Sequence, residues 1–172
     1  MTILLVDWQR NRGSVQIQVA LVLLRLGQML RSKTSIFSRI ASVPVIVAYR
    51  VLSLNLIGFD IPTSTRIGPG LAIKHGVGLV VNNKADIGEN VTLRQCTTIG
   101  SKTDGGAPRI ESNADIGSNC VVIGSIIVGT GAVVGAGSVV LKDVAAGDVV
   151  AGNPAKSLKR TDAVPAEEVL EE

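Results

Sequence analysis

A chain of 172 residues with 46% hydrophobic content, 19 glycines and only four aromatic rings (Trp8, Phe37, Tyr49, Phe59) has room for one domain with an appendage, and its core must be Val, Ile and Ala rather than rings. The net charge of +3 is modest and the basic residues are scattered among aliphatics with few rings for stacking, which argues against nucleic acid as a partner. Two cysteines, Cys96 and Cys120, are too few for a disulfide framework and lack metal-ligand spacing, so they read as small reduced residues of a cytoplasmic protein without a leader peptide.

In chain order, residues 1–58 come first as a helical segment. The stretches VQIQVALVLLRLGQML (15–30) and SRIASVPVIVAYRVLSLNLI (38–57) carry long apolar faces interrupted by Arg25, Arg39 and Arg50, which predicts two or three amphipathic helices. Through Phe59 this region holds seven basic residues against one acid, Asp7. Two uses of that surface stay open: a solvated face with an oligomer contact, or peripheral contact with an anionic membrane. The apolar run at 15–24 is about half the roughly 20 residues that a span requires and is followed by Arg25, so it is not expected to cross a bilayer.

From residue 59 to 156 an aliphatic residue recurs at every sixth position: Ile61, Ile67, Ile73 and Leu79, then, after a slip of two residues, Ile87, Leu93 and Ile99. The step resumes at Ile110, Ile116, Val122, Val128, Val134 and Val140. Four places after the aliphatic stands a small or β-branched residue (Val91, Thr97, Cys120, Ala132, Ser138, Val144), and glycine often follows it directly. Each hexad is therefore a short strand and a tight corner. Between Ile99 and Ile110, SKTDGGAPR is polar and glycine-rich and predicts a projecting loop. Residues 157–172, ending EEVLEE, form an acidic tail.

The period resembles the hexapeptide repeat of left-handed parallel β-helices, in which three hexads make one triangular coil of 18 residues. The resemblance implies a mainly β fold, a left-handed parallel β-helix of about five coils behind the N-terminal α-helical segment. It becomes residue-specific in DIPTSTRIGPGLAIKHGVGLVVNNKADIGENVTLRQCTTIG (60–100), which looks like the catalytic half of serine acetyltransferases, and closer still to the acetyltransferases of colanic-acid and other exopolysaccharide clusters. GAGSVVLKDV and AGNPAK are similar to the closing motifs of hexapeptide acyltransferases.

That resemblance implies an acetyl-CoA-dependent O-acetyltransferase with no metal. His75, the sole histidine, matches the family's general base, and imidazole, with an intrinsic pKa near 6.5, accepts protons at neutral pH. Asp60, fifteen residues earlier, matches the carboxylate that orients the base. Ser118 and Ala136 stand 18 residues apart and match backbone positions along the CoA arm; Gly100 lies at the base of the loop near the thioester. Lys142 and Lys156 match residues that meet the nucleotide phosphates.

The resemblance breaks at the acceptor. Gly106 and Ala107 stand where serine acetyltransferases carry an arginine and a histidine, and Lys74 replaces the aspartate before the base. Lys74 and Arg109 remain as substrate-binding candidates. The chain's last residues, Glu171 and Glu172, are not the isoleucine with which serine acetyltransferases dock into their sulfhydrylase partner. A sugar hydroxyl of a surface polysaccharide or its precursor is the expected acceptor, with free serine as the alternative and a non-catalytic scaffold as a further one. A γ-type carbonic anhydrase is excluded, because one histidine per chain cannot supply three imidazoles from two subunits. The family implies a homotrimer with sites between neighbouring prisms; a hexamer through the N-terminal helices, and placement at the inner face of a membrane, are left open.

Overall fold

The computed structural model describes residues 3–102 and 105–158. Two helices open it, α1 (Val15–Ser32) and α2 (Ile36–Arg50), the latter prolonged by a π-helical stretch, Val51–Ile57. Then come short strands that wind into a three-faced prism. The first face stacks Arg66–Ile67, Asp86–Ile87, Arg109–Ile110 and Ile127–Val128. The second stacks Ala72–Lys74, Thr92–Arg94, Asp115–Ile116, Val133–Val134 and Val149–Ala151, and is closed by antiparallel Lys156–Ser157. The third stacks Val80–Val81, Thr98–Gly100, Val121–Ile123 and Val139–Val140. Every other pairing is parallel and joins one coil to the next, making four to five coils.

The hexad rule names the wall of this prism: of its thirteen positions, all are buried except Ile67, which is half-buried at the edge of the first coil. The register corrects one of them. Val81, not Leu79, pairs with Ile99 and occupies the wall position, while Leu79 follows a left-handed Gly78 just as Leu71 follows Gly70 and Val91 follows Asn90. The two extra residues therefore fall before Leu79, in the turn that begins at His75. The step from Ile73 to Val81 is eight residues rather than six, and this one coil advances by twenty.

The helices complete the core from above. Ile17, Ala20, Leu21 and Leu24 of α1 are buried, so the apolar run at 15–24 packs onto the prism. The top coil would expose unpaired strand edges. Asn11 closes one of them like a short strand: its side-chain amide donates to the Leu71 carbonyl and its Oδ1 accepts from the Ile73 N–H. Asp7, buried, accepts from the Leu71 N–H and from Arg25, whose guanidinium also donates to the carbonyls of Ile67 and Gly68. Three of the seven basic residues of this segment thus have structural partners, Arg10 on Gly70 and Thr92, Arg25 on Asp7, and Arg50 on Asp60. The loop expected after Ile99 has no strand among its described residues up to Pro108, its last residue Arg109 already opening the strand Arg109–Ile110, and the acidic tail lies, from residue 159 on, outside the described residues.

Candidate active site

The corner that joins the second face to the third carries His75, Lys74, Ser118 and Ala136 of the candidate residues. Lys74 ends its strand, and His75 follows with φ at +57°, in the left-handed region that non-glycine residues rarely occupy. Such strain persists where the surroundings hold it. Here Gly76 is buried against Phe59 and Ile57, where an added Cβ would stand 3.1 Å from the Phe59 ring, and the Gly78 N–H donates to the Gly58 carbonyl at 2.7 Å. Phe59 itself is buried, its ring centroid 6.3 Å from that of Tyr49, whose hydroxyl donates to the Ile61 carbonyl. Burial raises the Tyr49 phenol well above its usual range, so it stays protonated as that donor. The turn is pinned while the His75 side chain remains exposed, outside the prism.

Below His75 the same corner repeats coil by coil. The Gln95 N–H donates to the Lys74 carbonyl (3.1 Å), the Asn119 N–H to the Gln95 carbonyl (3.0 Å), and the Gly137 N–H to the Ser118 carbonyl (2.8 Å). His75, Gln95, Ser118 and Ala136 therefore form one column, and Lys156, paired with Ala151, sits at its foot. Ser118 and Ala136 fall together as their spacing predicts. Gln95 is the residue sequence reasoning missed: it lies twenty residues past His75, a step hidden by the two-residue insertion. Its Oε1 is enclosed and has no hydrogen-bond partner among the described residues. Gly100 and Lys142 belong to the other end of the third face, at its corner with the first, so one protomer does not bring them to His75.

Two of the candidates have other partners within the protomer. Asp60 does not hydrogen-bond the His75 ring; its Oδ1 accepts from Arg50 at 2.6 Å. Its backbone bridges to Val80, at the start of the third face. Arg109 lies on the first face in register with Asp86, lining a different cavity with Glu111 and Thr130, and does not join His75 within the protomer. Of the cysteines, Cys96 is exposed in the column corner, and Cys120 is buried, which pushes its thiol pKa up.

A cavity of about 370 Å³ opens beside the base, between the 11–14 loop with the start of α1 on one side and Ile73, Lys74 and His75 on the other. Lys74 Nζ donates to the Arg10 carbonyl at 3.0 Å, fixing its ammonium at the rim. An exposed imidazole on a pinned corner thus has a column with small residues beneath it and a cavity beside it.

Comparison with known proteins agrees. The computed structure superposes on the apoenzyme of soybean serine acetyltransferase with a TM-score of 0.76 and 28% identity, over 91% of this chain and 67% of that one. A serine acetyltransferase solved in complex with CoA gives 0.74 and 25%, over 91% and 68%. In sequence, Serine acetyltransferase 2 of Arabidopsis thaliana is 41% identical over 108 residues, 61% of this chain and 33% of the plant protein. The protein named as colanic acid biosynthesis acetyltransferase WcaB of Escherichia coli (strain K12) is 31% identical over 126 residues, 72% of this chain and 78% of that protein. No family model matches the chain. The prism is thus the left-handed parallel β-helix of hexapeptide-repeat acetyltransferases. The chain belongs to that family, in the group that includes WcaB, and spans about a third of the plant serine acetyltransferases it matches.

Proposed function

We propose that this protein transfers the acetyl group of acetyl-CoA to a sugar hydroxyl, in a surface polysaccharide or its lipid-linked precursor, with His75 as general base. The observation that carries the reading is the exposed imidazole, carried on a pinned turn at the head of the Gln95–Ser118–Ala136 column. CoA lies along that column: the small residues let its pantetheine arm approach the backbone, Gln95 Oε1 accepts from one of its amides, and Lys156 meets its phosphates. Gly100 and Lys142 complete the donor site from the neighbouring protomer of a homotrimer, as the family arrangement implies. The outward valines Val80, Val133 and Val149, each partly exposed, suit such contacts.

The chemistry needs no acyl-enzyme. The imidazole takes the hydroxyl proton as the acceptor oxygen bonds to the thioester carbon. The C–S bond then breaks, and the departing thiolate recovers the proton from the imidazolium. General-base assistance of this kind is worth about 10²–10⁴ in rate.

Serine is the less suitable acceptor. Lys74, a cation, stands where serine acetyltransferases carry an aspartate and repels serine's ammonium group, and Gly106 and Ala107 replace the arginine and histidine of those enzymes. Thiol release from acetyl-CoA, followed with L-serine and with a panel of sugars, tests the choice. Faster release with sugars is expected; vigorous turnover with serine alone overturns it.

The reading includes a place for the reaction, the cytoplasmic face of a membrane. Supporting it, Ile36–Ile57 is a 22-residue helix long and apolar enough to cross a bilayer, with little of it buried. Ile40, Val43 and Val47 face outward, Phe37 is 80% exposed, and Arg31, Lys33 and Arg39 gather at one end. That is the make-up of a helix lying on an anionic lipid surface.

A further inference from the structure

The cavity beside His75 holds charge of one sign only. Lys74 ends the strand that precedes the base, and Arg12 projects from the loop across the cavity. Arg12 is exposed and has no hydrogen-bond or ion-pair partner among the described residues, and Lys74 spends one donor on the Arg10 carbonyl, leaving two. Among the described residues no carboxylate lines the cavity; the nearest acid in the sequence of the loop, Asp7, is buried and committed to Arg25 and the Leu71 N–H. The remaining lining is neutral, with Asn11 fully used in closing the strand edge and Ile17 apolar.

Two uncompensated cations flanking one cavity repel each other and focus a positive potential into it. A neutral sugar would leave both charges without partners. An oxyanion answers both, and its hydrogen bonds to guanidinium and ammonium are of the strong charge-assisted kind.

We infer that the acceptor is an acidic sugar: the hydroxyl presented to His75 belongs to a molecule carrying a carboxylate or phosphate group, held between Arg12 and Lys74. Arg12 and Lys74 then fix the register in which one hydroxyl, and not its neighbours on the ring, reaches the base. The inference rests on the proposed acetyl transfer at His75 and specifies its substrate class.

Because His75 is the only histidine, its ring gives a single set of imidazole resonances, and that signal reports occupancy of the cavity without any turnover. The full chain is titrated with methyl glucoside, methyl glucuronoside and glucose 1-phosphate, each followed by the His75 resonances. The two anionic probes are expected to shift them saturably and the neutral glycoside is not; the tighter anion distinguishes carboxylate from phosphate. Lys74→Gln and Arg12→Gln, both at exposed positions, should each weaken the anionic probe at least about tenfold. Equal response to the neutral glycoside, no response to any probe, or unchanged affinity in both variants overturns the inference. Failure of the acetyl-transfer reading appears separately, as undiminished turnover in a His75 variant.

Discussion

At the corner one coil below His75, the carboxamide oxygen of Gln95 is enclosed without a partner among the described residues. An unmet buried acceptor costs about 1–3 kcal/mol, and the donor it lacks is supplied, in the proposed reading, by an amide of bound CoA. Gln95→Leu removes the acceptor at little cost to the free protein. Its unfolding midpoint should therefore stay near or above that of the parent, while the KM for acetyl-CoA rises about tenfold; an unchanged KM removes Gln95 from the donor site. How much of the site was legible in the sequence turns on such residues. His75, Ser118 and Ala136 were readable because imidazole is unique here and an 18-residue step is visible. Gln95 was not, since two steps of unequal length flank it, and the Arg50 partner of Asp60 was not either, because it comes from a helix outside the repeat. Arg12 carries no signal of its own: only the docking of its loop on the first coil brings it to the base.

Among the elements, the N-terminal segment is tied to the prism by groups rather than by apolar packing alone. The Asp7–Arg25 pair is nearly sealed, with side-chain exposures of 3% and 8%, and both partners also close backbone groups of the first coil. Removing one partner strands the other, at a typical cost of about 3–5 kcal/mol. Asp7→Ala should accordingly lower stability in urea by that order and loosen the 11–14 loop; a loss under about 1 kcal/mol would mean that the pair is peripheral. The helices themselves followed from their apolar faces, and the strands from a period of six. Neither signal says which face of α2 stays uncovered, because a stripe of aliphatics looks the same whether it meets a core or a lipid. Co-sedimentation with vesicles decides: binding to vesicles rich in phosphatidylglycerol but not to neutral ones is expected, and Ile40→Glu with Val47→Glu should abolish it. Equal pelleting with neutral vesicles, or none with either, contradicts the membrane placement.

For the molecule as a whole, the prism is a ruler: every coil adds one corner to the same column, and the length of the column sets where each part of an extended donor falls. A single protomer carries His75, the cavity and the Gln95–Ser118–Ala136 column, while Gly100 and Lys142 lie at another corner. A trimer brings unlike corners together. Sedimentation should give a mass three times the 17.9 kDa of the chain, or six times it if the helices join two trimers; a monomer that retains full turnover contradicts the shared site. The claim beneath all of this is that His75 acts as a base rather than as a structural residue. Asparagine, which tolerates the same left-handed backbone, separates the two roles. For His75→Asn, turnover of acetyl-CoA with its sugar acceptor is predicted to fall at least about 10²-fold with the calorimetric Kd for CoA within about threefold of the parent. Turnover at the parental rate, with CoA bound equally well, would contradict the account.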